Sequence, residues 1–446
     1  MELTKFRDQL FAEGEKLGFT ELELYYEKQE SFGCDIFKGE IDNFESSSVS
    51  GVSVRGLYNG KMGYAYTEKL DEESIEFLLK SAKENAGLIE DDPEELFSGD
   101  AEYKKANFYS PSLEEVTAEQ KIALLKEIEE KIYAYDPRVV QTNYATLQNF
   151  SAETAIYNNK GLSLTDRNNF LYVLFSVVVK EGDEIKSGMT IKVTKDFASL
   201  NADEIAKEAV EKALSYLGGK TYPNKTYPVI LKNEAAASLI TVFSSSFSAD
   251  AVQKGQSRLK GKLGEKIASD LVTFIDDPFL PEGIRSSTFD SEGVPTEKLT
   301  VVDKGQLQTY FYNMKTAKKD GVKSNGHGTK YSYKGTIGVA PSNFFIEPKD
   351  KSFDELVASI EEGVIVTGLS GLHSGANPIS GDFSVAATGY FIKDGKIEGA
   401  TNYMTIAGNF FELLLDVVEV GSDLEFSTQG IGSPSLKVKG LTVTID

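Results

Sequence analysis

Two hydrophobic periodicities alternate along this chain, and their order outlines its architecture. At the start, Phe6, Leu10, Phe11 and Leu17 recur at roughly helical spacing. Residues 23–32 and 35–44 then carry the alternating and aromatic positions of strands, and residues 50–57 continue in the same manner. Tyr58-Asn59-Gly60-Lys61 predicts a hairpin turn, because Asn-Gly accepts positive φ at low cost, and residues 63–67 form the return strand. Residues 71–86 predict an amphipathic helix with Ile75, Leu78, Leu79, Ala82 and Ala86 inward.

The polar, proline-marked stretch 91–111 predicts a linker. A second helix is expected over 117–133, where Thr117 and Gln120 have capping-box spacing. Strands are expected at 139–147, 151–157 and 170–179, with Asn158-Asn159-Lys160-Gly161 as a turn. A helix over 203–217 ends at Gly218-Gly219. Pro223 and Pro228 mark a second boundary. Beyond it come a strand at 228–231, a helix at 233–247, and then short strands with turns at 303–305, 320–321 and 393–396. One late helix is expected at 352–362. The expected fold class is α+β, with mixed α/β N-terminal layers followed by a larger β-rich C-terminal domain. The divisions are 1–90, a middle region 112–219 packing with it, and 228–446.

Composition narrows the function. The chain has 446 residues, 47 basic against 69 acidic, for a net charge of −22. Such a surface repels nucleic acid and anionic membrane, whose recognition rests on clustered Lys and Arg. No apolar run approaches the length of a membrane span. The first residues are charged and lack the apolar core of a signal peptide, and one cysteine permits no intrachain disulfide. A cytoplasmic protein is expected.

The most informative chemistry is a metal motif without its ligands. Asn233-Glu234-Ala235-Ala236-Ala237-Ser238 has the frame of a His-Glu-x-x-x-His zinc helix, with Asn233 and Ser238 where imidazoles would stand. A catalytic zinc needs about three imidazole, thiolate or carboxylate ligands. Only His327, His373 and Cys34 supply the first two types in the whole chain. A five-residue step also turns a helix by about 500°, leaving the two side chains about 140° apart. On spacing alone, the segment reads as a core helix with a polar start, and Glu234 as a charge favoured by the helix dipole.

Other candidates carry less. Asp276-Asp277-Pro278 and Asp290-Ser291-Glu292-Gly293 are expected to be solvated acidic turns. Lys254, Arg258, Lys260, Lys262 and Lys266, interleaved with glycines, suggest either a mobile arm or a flexible exposed loop. His327 and His373 have glycine neighbours that let backbone approach a ligand, but neither establishes a zinc site or a Ser-His-Asp relay.

Read in order, the chain resembles the TldD/PmbA family, first labelled modulators of DNA gyrase. The pieces are Lys38 to Phe44, Gly51 to Arg55 and Gly60 to Tyr64, then Ser257 to Glu265 and Phe289 to Thr296. Gly371-Leu372-His373-Ser374, Gly381-Asp382-Phe383-Ser384 and Ile406 to Phe410 complete the set. The resemblance is to the PmbA (TldE) branch. It implies that Asn233 and Ser238 replace the histidines of the zinc-bearing branch, and that 426–434 lacks its cysteine ligand. It further implies a non-catalytic subunit of a heteromeric metalloprotease acting on extended peptides, with zinc only in a TldD-like partner and a homodimer when alone. Candidate peptide-binding positions are Arg258, His327, His373, Asp382, Phe383 and Ser384. A binding regulator without a protease partner, and a metal-independent hydrolase using Glu234 or a serine beside His373, stand as alternatives.

Overall fold

A computed structural model describes residues 1–88 and 95–446. The first part of the expected linker, 91–94, lies outside the described residues. The N-terminal half is built on one six-stranded antiparallel sheet. Its strands are β1 (Phe19–Phe37), β2 (Glu40–Tyr58), β3 (Lys61–Thr67), β4 (Val139–Asn158), β5 (Ser163–Glu181) and β6 (Glu184–Thr194), in the order β3-β2-β1-β4-β5-β6. The two stretches separated by the polar linker therefore share a sheet, through the pairing of β1 with β4.

The strands run longer than the sequence pattern indicates. β1 passes through Gly33-Cys34 without a break and turns at Lys38-Gly39, which adopt φ of 51° and 78°. The pair of expected strands at 139–147 and 151–157 is likewise one continuous β4. Cys34 is buried on the same sheet face as Leu22 and Leu24, so it extends the apolar alternation where a turn would interrupt it. The Asn59-Gly60 hairpin forms as expected, at φ of 50° and 76°.

Helices cover one face of this sheet in two pairs. Leu3–Lys16 and Glu72–Ala86 bury Phe6, Leu10, Leu78 and Leu79 against Leu22, Leu24, Val52 and Val54. Ala118–Tyr135 and Ala202–Leu214 bury Leu125, Ile128, Ile205 and Ala209 against Leu147, Val173 and Phe175. The helix at 118–135 starts with the expected capping box, the Thr117 hydroxyl accepting from the Gln120 amide and the Gln120 side chain from the Thr117 amide.

The C-terminal half centres on a closed ring of five strands. Glu362–Ser370, Lys225–Leu231, Leu436–Ile445, Met404–Asn409 and Asp382–Lys393 pair in that order, and the last returns to the first. Gly389 permits one crowded step of the ring: a Cβ there would sit 1.7 Å from the Ile365 carbonyl oxygen. A second sheet runs from Gln306–Leu307 through Phe274–Asp276 to Glu425–Phe426. The expected helix at 352–362 is shorter, Phe353–Ala358, because Glu362 already belongs to a ring strand. No described helix is long and apolar enough to cross a membrane.

The opposite face of the N-terminal sheet docks onto C-terminal loops through buried charge. Glu23 and Arg55 are cross-strand partners on β1 and β2. The guanidinium binds Glu23 in bidentate fashion, Nε to Oε1 at 2.8 Å and Nη2 to Oε2 at 2.9 Å, and donates from Nη1 to Glu292 at 3.2 Å. All three residues are buried. The acidic turns expected in solvent are thus interior: Asp276, Asp277, Asp290 and Glu292 are all buried. Asp290 explains the reversal, since it accepts the backbone amides of Glu292, Val294 and Gly328 and organises its own turn. Burial raises the Glu292 carboxyl above its usual range, and Arg55 pulls it back.

Removing Arg55 would leave two buried carboxylates without their cation, so Arg55→Met is expected to destabilise the protein by about 3–5 kcal/mol in denaturant unfolding. Lys330 gives the opposite expectation. Burial is the main cause that lowers its amine from 10.5 to about 7, with Arg55 adding to the shift and Glu23 and Glu27 opposing it. An unfolded lysine keeps its proton up to about 10.5, so between the two values the unfolded chain binds more protons and stability rises with pH. Lys330→Met is therefore expected to stabilise the protein at pH 7, with a gain that shrinks toward pH 10.

Candidate functional site

The degenerate motif opens the helix Asn233–Phe243, which follows the ring strand Lys225–Leu231 directly. The helix is shorter than expected from the sequence: Ser244–Phe247 continues as a tighter 3-10 turn. Ala235, Ala236, Leu239, Ile240 and Phe243 are buried in the main C-terminal core. The small alanine faces let the helix lie against the ring strand Glu362–Ser370 and against Ile431–Ser433 of the second sheet. The 426–434 segment, where the resemblance places a missing cysteine, thus borders the motif helix in space.

Each motif side chain already has internal partners. Asn233 is buried, donates from Nδ2 to the Asp423 carbonyl oxygen at 3.0 Å, and accepts from the Glu234 amide at 2.8 Å. The Ser238 hydroxyl donates to the Glu234 carbonyl oxygen one turn earlier, at 2.8 Å. Glu234 is exposed and receives Lys212 Nζ at 2.8 and 2.6 Å on its two oxygens. Glu425 stands nearby, raised above its ordinary value by burial first and by Glu234 second. Lys212 and Asp423 carry no mark in the sequence; they lie 22 and 190 residues from their partners, and only the fold joins them.

These residues do not fit a zinc ion. An amide and a back-bonded hydroxyl offer weak donors, and the one carboxylate is neutralised by an ammonium. Among the described residues no group of three His, Cys, Asp or Glu is placed to hold a metal.

The other candidates separate into two places. Asp382, Phe383 and Ser384 line an open cavity of about 510 Å³ together with the loop Ser374–Pro378. His373 lies in the short helix Leu372–Gly375 at the head of that loop, close to the motif helix. Arg258 donates from Nη1 to the Ser380 carbonyl oxygen at 3.1 Å and lies 5.6 Å from the centre of the Phe411 ring. Asp382 is held below its ordinary value by the Asn409 amide, which donates at 2.8 Å, then by Ser380 and Arg258. Phe383 is buried beneath the cavity while Ser384 is exposed. Five of the six candidate peptide-binding positions therefore gather at one end of the C-terminal ring.

His327 does not join them. It is buried, stacks near Phe311 at 4.5 Å, and bonds Asn325 through Nδ1 at 2.9 Å and Asp276 through Nε2 at 3.1 Å. Asp276 also accepts the Ser342 amide and hydroxyl. No hydrogen bond joins His373 to a serine among the described residues.

The basic stretch is anchored along its length. Lys254, Lys262 and Lys266 pair with Asp250, Glu265 and Asp270, while buried Ser257 and Leu259 tie the backbone to Ser246 and Tyr310. Leu259 is the apolar residue within it that fills the core.

Comparison with known proteins matches all three parts of this architecture. Family models described as PmbA/TldA metallopeptidase domain 1, central domain and C-terminal domain cover residues 22–86, 111–217 and 224–445. An uncharacterised protein of Methanocaldococcus jannaschii is 30% identical over 97% of this chain and 98% of its own length. Metalloprotease PmbA of Escherichia coli O157:H7 is 26% identical over 90% of this chain and 88% of its own. Among solved structures, a proposed modulator of a DNA gyrase from Thermotoga maritima is 33% identical, with TM-score 0.93 over 99% of this chain and 100% of that one. TldE from Thermococcus kodakarensis is 25% identical, with TM-score 0.89 over 98% of this chain and 100% of that one. With nearly its whole length matched, the chain belongs to the PmbA/TldD metallopeptidase family.

Proposed function

We propose that this chain is a non-catalytic, TldE-like subunit of a cytoplasmic zinc metalloprotease, whose metal is carried by a TldD-like partner. The observation that carries the reading is the state of the motif helix. Asn233 and Ser238 spend their polar atoms on the chain itself, and Glu234 is held by Lys212. A general base must reach a bound water with a free lone pair, and an exposed carboxylate gripped on both oxygens is poorly poised for that. The likeness to TldE and to the metalloprotease PmbA supports the assignment of branch.

The role left to the chain is to complete a peptide-binding surface. Asp382, Phe383 and Ser384 line the 510 Å³ cavity, His373 precedes its Ser374–Pro378 wall, and Arg258 bonds the nearby Ser380 backbone, so both charges and an apolar floor lie at this end of the ring. Such a surface suits an extended peptide held through its main chain with little sequence preference. We expect a homodimer, formed through the β-rich C-terminal domain, when the chain is purified alone.

The purified chain is expected to cleave no unfolded peptide, and cleavage should appear on adding a subunit with an intact His-Glu-x-x-x-His motif. Chelator-resistant cleavage by the purified chain would refute the reading. Glu234→Gln is expected to leave the rate of the assembled complex within about twofold. A loss of 10²-fold or more, the scale of a missing general base, would make this chain an enzyme in its own right.

A further inference from the structure

A second polar cavity, of about 310 Å³, lies where the outer face of the N-terminal sheet meets C-terminal loops. None of Asn233, Glu234 or Ser238 lines it. β1, β4 and β5 supply one wall, including Glu27 and Asp166; the loops supply the other, including Arg285 and Lys330. We propose that this cavity binds a small zwitterion, a free α-amino acid or a dipeptide.

The loop wall carries buried Asp290, the buried amine of Lys330 and one cation without a carboxylate partner among the described residues, Arg285. Lys330 is 7% exposed; its amine makes one hydrogen bond, to the Ser53 hydroxyl at 2.6 Å, and no ion pair among the described residues. The Tyr25 and Tyr64 rings stand 4.5 and 4.8 Å from it, and Arg55, Glu23 and Glu27 are near enough to bear on its proton. The Arg285 guanidinium has no hydrogen bond or ion pair among the described residues; its backbone amide alone is bonded, to Asn343 at 3.3 Å. The Arg285 guanidinium offers a carboxylate a two-pronged donor, and a carboxylate bound there would also favour the protonated form of the Lys330 amine.

The sheet wall carries the complementary charge. Asp166 accepts the Ser287 hydroxyl at 2.9 Å and the Arg167 amide at 3.0 Å; Glu27 accepts the Tyr333 amide and the Gln29 side chain, each at 2.9 Å. Neither carboxylate makes an ion pair among the described residues, and burial raises both above their ordinary values. An inorganic phosphate would satisfy the cations while facing these carboxylates. A zwitterion brings an ammonium for one wall and a carboxylate for the other. The volume sits at the small end of ligand pockets, which limits the occupant to one or two residues. The inference stands apart from the metalloprotease reading, since it uses no motif residue and needs no partner subunit.

The test uses the full purified chain without zinc or partner. The twenty L-amino acids and alanyl-alanine are screened by thermal shift, and hits are titrated by calorimetry beside their C-terminal amides and inorganic phosphate. At least one zwitterion should saturate at one site, and its amide should bind tenfold or more weaker. Arg285→Gln and Lys330→Met should each weaken it tenfold or more, with phosphate showing no saturable binding. Arg285 is partly exposed and its side chain carries no bond, so its substitution leaves the fold intact. The proposal fails if no probe binds, if Arg285→Gln leaves the affinity unchanged, or if phosphate binds as tightly as the zwitterion.

Discussion

The buried contact of Arg55 with Glu23 and Glu292 is the constraint on which the rest of the molecule depends. It joins a cross-strand pair of the N-terminal sheet to a C-terminal loop, so the two halves become one framework. A pair like this gains little net stability over an apolar contact, yet it tolerates no loss of one member. Its geometry fixes register as well: the bidentate fork demands that Glu23 and Arg55 stay opposite each other, and the second Glu292 oxygen accepts the Met314 amide at 2.7 Å. Through Met314 the charge cluster reaches the loops that carry His327 and Lys330. The part of the sheet face around Glu23 and Arg55, opposite the helices, is therefore committed to the C-terminal half, while Tyr144, Phe150 and Met189 leave its far end open.

That framework gives the Asn233–Phe243 helix a structural role. The Asn233–Phe243 helix is needed for the core, because its apolar residues fill the space between the strand ring and the second sheet. Its polar start has no such obligation. In this chain Asn233 cross-links to the Asp423 backbone, Ser238 closes on its own backbone, and Glu234 bridges to a helix of the other half through Lys212. Each of these side chains is used in holding the fold. A cavity at the same end of the ring is lined by Asp382, Phe383 and Ser384.

Much of the fold was legible from local signals. The Asn59-Gly60 turn, the Thr117 capping box and the apolar stripe of Glu72–Ala86 each rest on neighbours within a few residues. Strand lengths were less legible, since Gly33 looks like a breaker until the β1–β4 pairing shows Cys34 in the core. The acidic turns misled for a related reason. Asp290 and Glu292 resemble solvated loop residues, and nothing local reveals that backbone amides and an arginine 237 residues away will receive them. The absent ligands at Asn233 and Ser238 could be read directly, because side-chain chemistry needs no fold to be judged. The partners that occupy those side chains, Asp423 and Lys212, belong to tertiary structure alone.

Zinc affinity of the purified chain tests the central claim most directly. Titration of metal-free protein by calorimetry is predicted to show no stoichiometric site of micromolar or tighter affinity, and Asn233→Ala should not change the result. A one-to-one zinc site that disappears in Asn233→Ala or Glu234→Gln would contradict the account.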